Sequence, residues 1–191
     1  AHGTVSQLGF LMVLLGLGTP ATTYAGVAML VAHALFKASL FLSVGVVDHE
    51  AGTRDLRRLR GLARALPVVA ATVVVAAASM AAVPPTFGFV AKEKALDGLL
   101  DVDLGAVGTI ALVGIVAGSV LTVAYTLRIA VGLLGDDAPG VPGDAGDADD
   151  ALGAPPIEVA AVHRPPVALL LAPALLALAS LAFGIGAGVV G

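Results

Sequence analysis

Cysteine is missing from this sequence altogether. That excludes a disulfide framework, a thiolate metal site and a redox dithiol, while leaving the compartment open. Charge is scarce as well. Asp, Glu, Lys and Arg make up 13% of the 191 residues and apolar residues 58%, against about 25% and roughly 45–50% in ordinary soluble domains. A compact soluble domain of this length would need polar surface that the sequence does not hold, which excludes an ordinary cytosolic enzyme. A surplus of positive charge is also lacking. With a net charge of −4 and no basic stripe to meet phosphates, no nucleic-acid partner is expected. Nothing in the sequence calls for a metal or cofactor.

What charge there is falls in clusters. Eight charged residues lie between Asp48 and Arg64, six between Lys92 and Asp103, and eight between Asp136 and Arg164, leaving only Lys37 and Arg128 elsewhere. The uncharged stretches between clusters are long enough to cross a bilayer, which takes about 20 apolar residues at about 1.5 Å each. The sequence therefore reads as an all-α, polytopic transmembrane helix bundle with the lipid bilayer as its solvent. It starts at Ala1, directly in an apolar stretch, with no charged leader and no small-residue cleavage site. That is expected of a piece of a longer membrane protein rather than of a signal peptide.

Composition shifts divide the chain into a transmembrane core at 1–134, an acidic linker at 135–163 and an additional transmembrane helix at 164–191. Within the core, helices are expected at about 3–17, 24–47, 66–96 and 104–134, the third broken at Pro84-Pro85. Gly18-Thr19-Pro20 separates the first two, and Thr23 is the expected N-cap of the second. Gly105, Gly108, Gly114, Gly118 and Ser119 make the fourth rich in small residues, as suits close helix packing in lipid. The linker is rich in Asp, Gly and Pro without aliphatic periodicity, so disorder is expected there. Arg54, Arg57, Arg58, Arg60 and Arg64 form the densest basic run, which places the loop 48–64 in the cytoplasm.

Lys37 is the most informative residue. It lies ten residues before Val47, about 15 Å along the helix, too deep for its stem to reach an interface easily. An isolated Lys at the bilayer centre costs roughly 2.5–3.5 kcal/mol on insertion scales. His33 lies four residues earlier, on the same face and one turn away. Two titratable groups so placed can pass a proton along a wet interior seam. The competing reading is a lysine that snorkels, or pairs with a carboxylate, for structure alone.

The segment from Ser79 to Glu93 is the second feature. Pro84 and Pro85 should split a membrane helix, and the freed backbone groups are tolerated only against protein or a water-filled cavity. Broken helices with a charge nearby, here Lys92, recur in ion sites at membrane depth. Alternatively, the prolines end a helix at the surface and Lys92 and Glu93 are interfacial charges. At 18 residues, the run 66–83 is short for a full span, which favours the break. Thr4, Ser6 and Gln7 either line the same polar seam or bond a neighbouring helix. Arg128 reads as an interface anchor, His2 near the chain start supports nothing, and His49 and His163 read as solvated. Asp48, His49 and Glu50 are adjacent and point in different directions, so no metal site is expected.

These residues resemble a known family. Thr4-Val5-Ser6-Gln7-Leu8-Gly9, His33-Ala34-Leu35-Phe36-Lys37-Ala38-Ser39-Leu40-Phe41 and the stretch from Met80 to Lys92-Glu93 are similar to the antiporter-like membrane subunits. These are shared by respiratory complex I, membrane hydrogenases and Mrp-type multisubunit monovalent cation/proton antiporters. Val47-Asp48-His49-Glu50-Ala51-Gly52-Thr53-Arg54-Asp55 resembles the large subunit of the Mrp type in particular, as does Arg164-Pro165-Pro166 with Leu169 to Pro173 and Phe183-Gly184. The resemblance implies two inverted five-helix repeats, each with a broken helix. This chain would hold most of the second repeat and the helix after it, as a C-terminal-side fragment.

The resemblance also implies that His33 and Lys37 are central proton-relay residues and that Lys92 is the broken-helix lysine near the exit half-channel. Its implied partners are the missing N-terminal part of the same subunit, other membrane subunits of the complex, protons and monovalent cations such as Na+ or K+, in a bacterial-type plasma membrane. Met29 stands where the family often has a further His, and the acidic linker has no counterpart. Without the first repeat the fragment alone is not expected to transport. Two rivals stand beside this reading: a redox-driven proton-pumping subunit of complex I or a membrane hydrogenase, and a non-conducting scaffold.

Overall fold

The computed structural model describes residues 2–52, 62–102, 105–134 and 165–190. Helix and short connections account for all of them. In chain order the helices are α1 (His2–Gly16), α2 (Pro20–Ala51), α3 (Leu62–Ala65), α4 (Pro67–Met80), α5 (Phe87–Leu100), α6 (Gly105–Leu134) and α7 (Val167–Val190). Apolar windows in α2, α6 and α7 are long enough to cross a membrane, while Gly3–Gly16 and Pro67–Met80 are shorter apolar helices. The expected acidic linker and most of the arginine-rich loop (Arg54, Arg57, Arg58, Arg60) lie outside the described residues. So do His163 and the side chains of His2 and Arg128.

The second helix begins four residues before the expected Tyr24, and the cap is Thr19 rather than Thr23. Thr19 has extended backbone, and its Oγ1 accepts the Thr22 N–H at 3.1 Å. Pro20 takes the first helical position, where its missing N–H costs nothing. At the other end α2 continues through Asp48, His49 and Glu50 to a left-handed Gly52, whose N–H reaches the Asp48 carbonyl at 2.9 Å. That conformation favours a residue without Cβ.

α2 is the hub of the bundle, touching α1, α4, α5 and α7. Its buried Ala25, Met29, Ala32 and Phe36 pack with Leu11 and Leu14 of α1, Ala76 and Met80 of α4, and Ala91, Ala95 and Leu99 of α5. Further along, Val46 and Val47 meet Val69, Ala70 and Val73 of α4. Small residues set the spacing. A Cβ on Gly26 would stand 2.8 Å from Leu15 Cδ2, so α1 and α2 meet closely there and a larger residue would have to displace the Leu15 side chain.

α6 is peripheral, with 11% of its apolar window buried against 33% for α2. Two of the small residues expected to pack closely meet no tight neighbour among the described residues. Gly114 has open space beside it, and the nearest atom to a Cβ on Gly118 would be Ser6 Oγ at 3.7 Å. Lacking side chains, these positions leave a cleft between α6 and α1. The outer faces of α1, α6 and α7 carry exposed Leu, Val, Ile and Phe, as surfaces solvated by hydrocarbon do.

Candidate functional site

Lys37 lies on the uninterrupted α2, fourteen residues before Ala51, about 21 Å along the helix axis. Its amine lies beside Gly3 of α1, with Nζ 3.3 Å from where a Cβ on that glycine would be. On the other side the amine stands 5.9 Å from the centroid of the Phe41 ring. One turn before Lys37, His33 meets Phe36 edge to face, ring centroids 5.2 Å apart, and its Nδ1 is buried with no hydrogen-bond partner among the described residues. A buried ring nitrogen left open is costly unless something visits it.

Lys92 is placed differently. α4 stops at Met80, before the prolines, and the chain turns through Ala81–Thr86 with Ala82 at a φ of 59°. It then resumes as α5. Thr86 occupies the N-cap position of α5 without bonding forward; its Oγ1 donates instead to the Val83 carbonyl at 2.7 Å. The orphan Gly88 N–H is satisfied by Ser79 of α4, whose Oγ accepts it at 3.2 Å. So the end of one half-helix caps the start of the other, as a break away from water requires. Gly88 is needed there because a Cβ would run into the Ser79 carbonyl.

One turn beyond Gly88, Lys92 is 9% exposed and lines a cleft of about 280 Å³. Ser6, Gln7, Phe10 and Val13 of α1 and Gly114, Ile115, Gly118, Ser119 and Thr122 of α6 form much of its wall. Of the three polar α1 residues read from the sequence, Ser6 and Gln7 line the cleft and Thr4 does not. The α6 hydroxyls already donate to their own helix, Ser119 to the Ile115 carbonyl and Thr122 to the Gly118 carbonyl, both at 2.8 Å. What they turn outward is acceptor capacity, which complements an amine. The volume accommodates several water molecules at about 30 Å³ each.

Thus the packing gathers Ser6, Gln7 and Lys92 at one cleft, while His33 and Lys37 sit together on α2. Gly3, beside the Lys37 amine, precedes Ser6 and Gln7 by three and four residues, so the α1 surface under Lys37 continues into the cleft wall one turn away. Among the described residues neither lysine has a carboxylate within ion-pair distance; Glu50 bonds His49 at 3.0 Å. The described residues hold no group of three His, Asp or Glu able to hold a metal. Sequence reasoning missed the α6 wall. The signal was there in Gly114, Gly118 and Thr122, which recur every four residues along one face.

Long apolar helices around one buried and one half-buried lysine define an integral membrane protein. Residues 1–122 match the family described as NADH:quinone oxidoreductase/Mrp antiporter, TM, and the chain belongs to that family. It is 43% identical over 135 residues to the A/B subunit of a probable K(+)/H(+) antiporter of Rhizobium meliloti (strain 1021), a match covering 70% of this chain and 13% of that protein. To an Na(+)/H(+) antiporter subunit of Alkalihalophilus pseudofirmus it is 43% identical over 114 residues, covering 52% of this chain and 14% of that one. A chain of the solved Mrp complex from Dietzia sp. superposes with a TM-score of 0.75 at 37% identity, over 97% of this chain and 18% of that one. The chain spans less than a fifth of the length of each of these relatives.

Proposed function

We propose that this chain is the C-terminal-side part of the large subunit of a monovalent cation/proton antiporter complex, and that it carries part of the proton path. His33 and Lys37 form one station and Lys92 the next, joined by water along the α1 face that holds Ser6 and Gln7. The observation that carries the reading is the buried Lys92 in a largely apolar cleft whose polar groups are the Ser6, Ser119 and Thr122 hydroxyls and the Gln7 amide, with no carboxylate in the wall among the described residues. Such a wall suits proton exchange with water and disfavours a bare metal cation, which would want anionic oxygen. The pumped cation therefore moves elsewhere in the complex. Both amines lack a carboxylate partner among the described residues, which speaks against lysines kept for structural pairing.

The relatives supply the rest of the reading. Their names specify K+/H+ and Na+/H+ antiporter subunits, so the activity proposed is antiport rather than redox-driven pumping, and the chain is a transporter subunit, not an enzyme. Its proposed partners are the preceding part of the same subunit, which would hold the first repeat, and the other membrane subunits of an Mrp-type complex. Its proposed place is a bacterial plasma membrane with the arginine-rich loop 48–64 on the cytoplasmic side. In the full assembly, Lys37→Ala and Lys92→Ala each abolish cation-driven pH change in inverted vesicles while membrane insertion is unchanged. A retained pH change in either variant contradicts the reading.

A further inference from the structure

α7 does more than fill a place in the bundle. It crosses directly over the break between α4 and α5. A Cβ on Gly184 would run into the Pro85 carbonyl and the Thr86–Phe87 backbone, so α7 lies against the exposed main chain of the break itself. One turn earlier, Ser180, fully buried, shares a hydrogen bond of 2.8 Å with Ser79 Oγ, the same atom that accepts the Gly88 N–H. Phe183 packs on Phe87, the first residue of α5, with ring centroids 5.7 Å apart. Two turns earlier still, the Pro173 carbonyl accepts the buried Ser39 hydroxyl of α2 at 2.9 Å, two residues from Lys37. One helix therefore holds the lysine-bearing α2 and the joint from which the other lysine-bearing helix starts.

We infer that α7 is the positioning element of the broken helix: Ser180 and Gly184 set where α5 starts, and so where Lys92 meets the cleft. The physical reason lies in the break. An uninterrupted helix fixes its side chains through its own hydrogen bonds, but a half-helix joined by a turn takes its angle from whatever contacts its first residues. Here those contacts are Ser79 from one side and α7 from the other. Ser180 and Gly184 touch neither cleft nor amine and act only through the placement of α5. The consequence for transport rests on the proton-path reading of Lys92; the positioning itself does not.

The test separates the two. In the full-length protein within its complex, stripped of any cysteine, Lys92→Cys serves as a reporter, and its reaction rate with a charged, water-soluble methanethiosulfonate is measured. Adding Gly184→Val changes that rate by about tenfold, because thiol reactivity follows access to water. Gly186→Val, at a position with open space around it, leaves the rate unchanged. Ser180→Ala, which removes one hydroxyl without adding volume, changes it by about threefold, and decides the matter if Gly184→Val does not assemble. A native rate in an assembled Gly184→Val complex, or in Ser180→Ala where the former fails to assemble, overturns the inference. If the reporter responds to Gly184→Val while that substitution, with Lys92 in place, leaves cation-driven pH change untouched, positioning stands and the proton-path reading of Lys92 fails.

Discussion

Two lysines are held inside this helix bundle by different means. Lys37 is carried on α2, 32 residues without interruption, and its backbone neighbourhood would be nearly the same in isolation. Lys92 is carried on α5, a half-helix of 14 residues that starts at a turn and borrows its first cap from α4. The comparison separates two costs. A continuous helix satisfies its own backbone and bears only the cost of a buried amine, roughly 2.5–3.5 kcal/mol on insertion scales. A broken helix adds orphan backbone groups that neighbours must satisfy. The helix that carries Lys37 is thus robust to its surroundings and the one that carries Lys92 depends on them.

Substitutions at glycine make that contrast measurable. The largest effect is expected at the break. Gly88→Leu forces a side chain into the Ser79 backbone, a cost of about 3 kcal/mol or more, and the protein is lost from the assembled complex. On α2, Gly45→Leu meets nothing within 4 Å, and assembly is unchanged. Co-purification of the complex subunits reads both outcomes. Equal losses at the two sites would mean that the broken helix is no more context-dependent than the continuous one.

A smaller effect sharpens the other half of the comparison. Gly3 stands beside the Lys37 amine, and a Cβ there would lie 3.3 Å from Nζ, a tight contact. Gly3→Val pushes that flexible end aside without touching the backbone of α2. Cation-driven exchange is expected to fall by about tenfold, since small misplacements of reacting groups carry large kinetic penalties, while the amount of assembled complex stays native. Native exchange would place the working position of the amine away from α1.

How far the sequence revealed this arrangement depended on what each feature needs. The apolar runs were legible because the charges are clustered, and the place of His33 and Lys37 one turn apart on α2 because a spacing of four residues is a property of one helix. The start of α2 was misplaced because Thr23 has the right chemistry for a cap. Thr19 has it too, and with Pro20 behind it the earlier position wins. Gathering Ser6, Gln7 and Lys92 at one cleft was not legible in full, since it requires α1, α5 and α6 to converge. The small residues of α6 signalled close approach but not which neighbour would leave them open. The bond between Ser79 and Ser180 was not legible, because the meaning of these hydroxyls lies in each other, 101 residues apart.

The most direct measurement replaces Lys37 by methionine in the full complex. The substitution keeps the length and apolar stem of the side chain and removes only its ability to hold a proton. Inverted vesicles carrying the assembled Lys37→Met complex are predicted to show no cation-driven pH change above vesicles without the complex. A pH change equal to that of the native complex would show that the amine serves packing alone, and would contradict the account.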